Sequence, residues 1–476
     1  MMRATFVLPA IVALSLVGCA TAPNAERTNA NQLFASAGPY RDNDLADNKI
    51  IEPDENKGYR LGFVEFDEQG WLLYPSQRQL LQVQHLVARE ARLVGAPGQR
   101  PNGIILVAFV HGWQHNAARD DANVESFRNL LAEMARVERG LPVPRKIVGV
   151  YLGWPGLSLN AGVLTNLTFY SRKNTGDRVG YYGGVTDVLG RLEKLHNEIN
   201  DANPQNRSYY VVAGHSFGAQ VVYNSLANVV TQRLVEARIS ADIKLHRTKD
   251  TDVSGNNVFT VRQVASPNDK PVKPFGDLIV LVNPAFEAAR YHNLKTLSEQ
   301  FPYPDAQRPV LAIFGSETDK ATKLAFPAGR FFSTMFQRYR DGEPGREQAW
   351  SNVHTIPWTD RYVTHQLGKT SDTLEFSRSQ PTSQNQKSLV RAPNVDSNSP
   401  ARLREVMVNW DAETRAGALE LADCFLVPKH TAVASWTPFY VVKVKPSLVD
   451  GHSDIWRAEF RNFLAQFITI SLRHTD

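Results

Sequence analysis

The five residues Gly214-His215-Ser216-Phe217-Gly218 constrain this chain more than any others. They follow the apolar run Tyr209-Tyr210-Val211-Val212-Ala213, and beyond them Val222, Leu226, Val229, Val230 and Leu234 recur at helical spacing. The first pattern is a buried strand and the second is one face of a helix. The backbone therefore has to turn sharply at Ser216. A serine in such a turn takes a strained backbone angle and points its hydroxyl outwards. A glycine two residues to either side is needed, because a larger side chain would collide with neighbouring backbone. Gly-x-Ser-x-Gly is also short enough to arise by chance in a chain with 30 glycines. Its weight depends on whether the remaining parts of a site follow in order.

The surrounding pattern supplies a scaffold for that turn. Leu61 to Phe66, a turn at 67–70 and Trp71 to Tyr74 read as an early hairpin. Ser76 caps a helix with Leu80, Val83, Val87, Ala91 and Val94 on one face. Gly103 to Val110 and Ile147 to Leu152 are buried strands separated by a helix bearing Val124, Phe127, Leu131 and Met134. A helix around Val188 to Ile199 precedes the strand into the turn. Further strands are expected at Asp277–Val282, Pro309–Phe314 and Pro438–Val444, and a last helix carries Trp456, Phe460, Phe463 and Phe467. Strands alternating with amphipathic helices predict an α/β fold, a mostly parallel sheet flanked by helices. Two stretches stand outside this scheme as large insertions, about 155–182 and 321–436. The first contains the apolar segment Leu157–Leu164 after a strand end; the second contains a Ser-, Gln-, Asn- and Pro-rich loop from Ser371 to Pro400.

The amino terminus reads as a targeting segment. Met1-Met2-Arg3 precedes an apolar run from Phe6 to Val17 that is shorter than the roughly 20 residues a spanning helix needs. Leu16-Val17-Gly18-Cys19 resembles a bacterial lipobox. That resemblance implies a signal peptide over 1–18, acylation of Cys19 with palmitate-like chains, and, with Ala20 following, an outer-membrane lipoprotein of the cell envelope. The alternative is an ordinary secretory signal with an incidental cysteine. Residues 19–57 are rich in Ala, Asn, Asp and Pro and read as a flexible tether to the folded region, 58–476. With Cys19 acylated, Cys424 has no disulfide partner within the chain and reads as a buried structural thiol. The 53 basic and 48 acidic residues leave a charge of only +5, with no basic run, so nucleic acid is not an indicated partner.

Four elements together, Gly214–Gly218, His111-Gly112-Trp113 after an apolar strand, the loop Gly315-Ser316-Glu317-Thr318-Asp319 and Asp450-Gly451-His452, resemble the α/β-hydrolase superfamily, closest to its bacterial esterase- and lipase-like branches. The resemblance covers most of 61–332 and 437–468. It implies a triad in the chain order serine, acid, histidine. On that order Ser216 is the nucleophile, Asp319 the acid after the penultimate strand, and His452 the base between the last strand and last helix. Glu317 and, more weakly, Glu287 are alternative acids. The backbone N–H groups of Trp113 and Phe217 are the candidate oxyanion hole. His111 is expected to shape that loop, and the spacing of His111 and His115 lacks the intervening glutamate of a zinc-binding helix. His354 and His365 are expected to be structural. Trp113, Trp154 and Phe217 are expected around the site mouth, with core packing as the other role for Trp154.

These residues imply hydrolysis of a small-molecule or lipid carboxylic ester through an acyl-enzyme, with no metal and no organic cofactor. Acyl transfer to an alcohol by the same triad is the enzymatic alternative. A non-catalytic envelope-binding lipoprotein that retains the fold is the alternative from another class.

Overall fold

Continuous apolar runs dictate the strands of the computed structural model. The structure describes residues 26–27, 49–53, 57–73, 78–92, 103–156, 169–239, 243–251, 257–263, 271–299, 303–304, 307–372, 399–408, 419–429 and 437–473. The lipobox with Cys19, Ser76, the Leu157–Leu164 segment and most of the 371–400 loop lie outside the described residues. The chain divides into two compact units, Met1–Ser225 with Leu281–Ala285, and Leu226–Val280 with Phe286–Asp476.

In the first unit, Tyr59–Glu65 (β1), Ile104–Val110 (β2), Lys146–Gly153 (β3) and Tyr209–His215 (β4) are almost entirely buried. They pair in parallel in the order β1-β3-β2-β4, with Ile105 opposite Tyr209 and Val110 opposite Gly214. Helices Arg78–Arg92 (α1), Ala122–Arg139 (α2), Phe169–Tyr181 (α3) and Gly184–Ala202 (α4) connect them, and Phe217–Ile239 (α5) follows β4 directly. Asp121 caps α2 by accepting the Asn123 N–H, and Val124, Phe127, Leu131 and Met134 turn inward as their spacing requires. The expected early hairpin is reduced to one antiparallel bridge, Phe66 to Leu72, with the Leu73 N–H donating to the Glu65 carbonyl at 3.1 Å. Part of the first insertion is a packed helix. Gly180 of α3 lies where an added Cβ would sit 2.7 Å from the Asn224 Cβ of α5.

The segment expected as a tether is docked where it is described. Glu65 is buried at the end of β1, and its carboxylate accepts the backbone N–H groups of Glu26 at 2.8 Å and Arg27 at 3.1 Å and the Gln79 amide at 2.8 Å. Arg27 is itself buried, its guanidinium 3.5 Å from the Phe63 ring centroid and its Nε donating to the Ala117 carbonyl. A buried carboxylate needs donors, and these two residues supply them.

The second unit contains a separate antiparallel pair, Ile243–Thr251 (β5) with Asn257–Gln263 (β6). Its remaining strands include Leu278–Val280 of Leu278–Val282 (β7), then Leu311–Ser316 (β8), His365–Lys369 (β9), Leu419–Leu421 (β10), Cys424–Pro428 (β11) and Phe439–Val444 (β12). Its helices are His292–Ser298 (α6), Phe326–Thr334 (α7), Gly342–Val353 (α8), Pro400–Val408 (α9) and Ala458–Leu472 (α10). β12 pairs in parallel with β8 and with β9, while β11 is antiparallel to both β9 and β10. The 321–436 insertion therefore contributes three strands, against the expectation that it stands outside the sheet. β10 and β11 join through Ala422 and Asp423, whose φ angles of 51° and 59° are those of a two-residue hairpin turn. Cys424 is buried beside that turn, and burial pushes its thiol up to about 12.

The strand order is β1-β3-β2-β4-β7-β8-β12-β9-β11-β10, a ten-stranded, mostly parallel sheet flanked by helices, which is an α/β architecture. Among the described residues, no helix is long and apolar enough to cross a membrane.

Candidate active site

The serine belongs to the first unit. β4 ends at His215, α5 begins at Phe217, and Ser216 between them has φ +56°, a left-handed conformation that costs a non-glycine residue about 1–2 kcal/mol. Hydrogen bonds hold the backbone there. The Ser216 N–H donates to the Val282 carbonyl at 3.0 Å, and the Ser216 carbonyl accepts from Gln220 and Ala285, both at 3.2 Å. The flanking glycines have the steric role the motif requires. A Cβ at Gly218 would run into the carbonyls of Val110 and His111, and one at Gly214 would lie 2.8 Å from the Ala219 N. Phe217 opens α5, and first-turn N–H groups are those a helix cannot satisfy with its own carbonyls.

The other candidate oxyanion donor sits in the turn after β2. A Cβ on Gly112 would come within 3.0 Å of the Ser216 Cβ, so only glycine lets this turn approach the serine so closely. His111 braces the turn from below. Its Nε2 accepts the Trp154 N–H at 3.0 Å, its Nδ1 donates to the Gly112 carbonyl at 2.9 Å, and the Trp154 indole donates to the His111 carbonyl at 2.9 Å. Complete burial holds the imidazole neutral, pushing its pKa down to about 4. Trp154 is buried with its ring centroid 5.6 Å from that of His111, and Phe217 is fully buried. Both are core side chains and do not line a site mouth; Trp113 is partly exposed. His115 is held at 3.1 Å by Asp121, the α2 cap.

The acid and the imidazole belong to the second unit. His452 Nδ1 donates to Asp319 Oδ2 at 2.8 Å. The same oxygen accepts the Thr322 hydroxyl at 2.7 Å, and Oδ1 accepts the Thr322 N–H at 3.1 Å. The Trp358 indole in turn donates to the Thr322 hydroxyl at 3.0 Å. Burial alone would raise the Asp319 carboxyl; the hydrogen bond and charge of His452, followed by the Thr322 bonds, outweigh it and hold the group below its usual range. Two further bonds tie the loops that carry these residues. Ser316 Oγ donates to the Val449 carbonyl at 2.7 Å, and Thr318 Oγ1 donates to Asp450 Oδ1 at 2.9 Å while accepting the Gly451 N–H at 3.0 Å. Beneath them, Phe460, Phe463 and Phe467 of α10 pack edge-on against Phe314 of β8.

The alternative acids are engaged elsewhere. Glu317 pairs with Lys445 at 3.1 Å, and Glu287 pairs with Arg290 at 2.7 Å and Arg330 at 2.9 Å. His365 is buried against the Tyr440 ring and bonded to the Thr364 hydroxyl, and His354 stacks on Trp350. Thr322 and Trp358 were not anticipated. The spacing Asp319-x-x-Thr322 is that of a carboxylate accepting an N–H three residues on, a capping signature that could have marked Thr322.

The first unit thus holds a buried serine at a strand–helix turn, and the second holds an imidazole hydrogen-bonded to a buried carboxylate. Comparison with known proteins finds no matching family model, no matching curated protein and no matching solved structure.

Proposed function

We propose that the chain is a serine hydrolase of carboxylic esters, with Ser216 as nucleophile, His452 as general base and Asp319 as its orienter. The left-handed backbone of Ser216, φ +56° between a parallel strand and a helix, carries this reading. Strain of that kind persists only where surrounding structure enforces it, and here it sets a serine at the turn between a strand end and a helix start. The Asp319–His452 bond supports it. A neutral imidazole that donates through Nδ1 has its lone pair on Nε2, the form a general base requires.

In the proposed reaction Nε2 takes the proton as Ser216 Oγ attacks the ester carbonyl carbon. The N–H groups of Trp113 and Phe217 stabilise the resulting oxyanion. The C–O bond to the leaving alcohol then breaks, and the alkoxide receives the proton from His452. Water, activated in the same way, cleaves the acyl-enzyme and regenerates Ser216. Acylation at Cys19 would hold this apparatus on the bacterial envelope, in reach of small or lipid esters.

Fluorophosphonate labelling of the full chain tests the proposal. Labelling that vanishes in Ser216→Ala is the expected result. Absence of Ser216-dependent labelling would leave a non-catalytic envelope protein. An ester product formed from an acyl donor and an added alcohol would indicate acyl transfer.

A further inference from the structure

Directly after Asp319, the five-residue π-turn Ala321–Ala325 runs without a break into α7, and the two faces of this stretch differ in kind. Thr322, Phe326 and Thr334 are buried. Leu324, Phe331 and Met335, spaced seven and four residues apart so that they share the opposite face, are 62%, 59% and 52% exposed, and the adjoining Phe336 is 93% exposed. Four large apolar side chains concentrated on one short surface are not the scattered exposure usual for a protein in water.

The charge on the same stretch is one-sided. Residues 320–340 contain five basic side chains, Lys320, Lys323, Arg330, Arg338 and Arg340, and no acidic one. Arg330 is bound to Glu287, and Lys323 lies 4.8 Å from the Trp358 ring centroid. Lys320, Arg338 and Arg340 are exposed and form no ion pair among the described residues. Acidic residues resume at Asp341, where Glu343 is paired with Arg346 and Glu347 with Arg361. Exposed Leu, Phe and Met beside unneutralised Lys and Arg match the interface of an anionic bilayer, whose acyl boundary takes the apolar side chains and whose phosphates take the cations.

We propose that 320–340 is a docking face for an anionic phospholipid surface. Leu324, Phe331, Met335 and Phe336 enter the acyl boundary while Lys320, Arg338 and Arg340 meet headgroup phosphates. The opposite, buried face of this stretch carries Thr322, which bonds the Asp319 carboxylate. Binding does not rest on the hydrolytic reading, and Ser216→Ala should dock as the unchanged chain does.

The test uses the full chain with Cys19→Ser, which removes the acylation site, and an environment-sensitive fluorophore on Gln337→Cys. Cys424 is buried and does not compete for label. Vesicles of equal phosphatidylglycerol and phosphatidylcholine should shift the emission to the blue, and vesicles of phosphatidylcholine alone should not. Lys320→Gln, Arg338→Gln and Arg340→Gln together should weaken binding about a hundredfold. Phe331→Ser with Phe336→Ser should abolish the shift while leaving far-UV circular dichroism unchanged. No shift on anionic vesicles, or equal affinity for both kinds, overturns the proposal. So does a shift that grows with protein concentration in the absence of lipid, which would assign the face to a second copy of the chain.

Discussion

Asp319→Asn removes one oxygen, and the hydrogen bonds around that carboxylate show what the change does. Three donors converge on the side chain: His452 Nδ1–H and the Thr322 hydroxyl on Oδ2, and the Thr322 N–H on Oδ1. Asparagine must place an NH2 at one of these oxygen positions. At Oδ1 it would face the fixed Thr322 N–H, donor against donor. At Oδ2 it would face a hydroxyl that can rotate and an imidazole that can change tautomer, so this orientation is favoured. His452 then accepts through Nδ1 and carries its proton on Nε2, which under the proposed mechanism leaves no lone pair for the Ser216 proton. In a hydrolase with the same constellation this inversion costs about 10⁴ in kcat, equivalent to roughly 5 kcal/mol of transition-state stabilisation.

Hydrolysis of a p-nitrophenyl ester at pH 7.5 measures the effect, with Glu317→Gln and Glu287→Gln as comparators. Asp319→Asn should lower kcat about ten-thousandfold with KM little changed, and Glu317→Gln should stay within about threefold of the parent, since its partner is the partly buried Lys445 amine and not an imidazole. Fluorophosphonate labelling should slow in the same proportion, and circular dichroism should show the fold intact. Near-parental activity in Asp319→Asn, or an equal loss in Glu317→Gln, would refute the assignment of the acid.

Four other outcomes follow from the same geometry. Ser216→Ala should lower kcat by about 10⁶ without loss of stability, read by steady-state kinetics and thermal melting. Thr322→Val keeps its N–H on Asp319 but strips a hydroxyl from Oδ2 and a partner from Trp358; thermal unfolding should show a loss of about 1–3 kcal/mol. Gly112→Ala would press a methyl group against Ser216 and displace the Trp113 N–H, lowering kcat about 10²–10³ as loss of an oxyanion donor does, with KM preserved. The buried imidazoles of His111 and His365, lowered by desolvation to about 4 and about 3, stay neutral in the fold but take up protons in the unfolded chain. Their contribution to stability is therefore full above pH 6.5 and is lost as pH falls towards 4, by on the order of 3 kcal/mol for His111. Urea unfolding between pH 7 and 4.5 should show that decline, reduced in His365→Phe.

What the sequence disclosed and what it withheld separate along a physical line. Ile104–Val110 and Tyr209–His215 were legible because strands covered on both faces must be apolar at every position, and their burial is complete. The serine turn was legible because its glycines answer a steric demand that no other residue meets. The strands of the second insertion obey neither rule. His365-Gln366-Leu367-Gly368-Lys369 pairs on both sides through its backbone while its side chains remain mixed, so no periodicity marks it. The β10–β11 hairpin turns on Ala422-Asp423 in place of the Asn-Gly or Asp-Gly that would have announced it. Glu26 and Arg27 were hidden for a third reason. Two residues inside a polar segment leave no pattern, and their docking is set by a carboxylate 38 residues away in sequence from Arg27. Asp319 is a different case, since the sequence already named it as the candidate acid with Glu317 as the alternative. Chain order could nominate it and Glu317 alike, since both follow β8 within three residues of Ser316. The hydrogen bonds of each carboxylate separate them: one is buried and meets three donors including an imidazole, while the other is partly buried and meets a lysine. Residue identity proposes the members of such a site, and long-range satisfaction of buried polar groups selects among them.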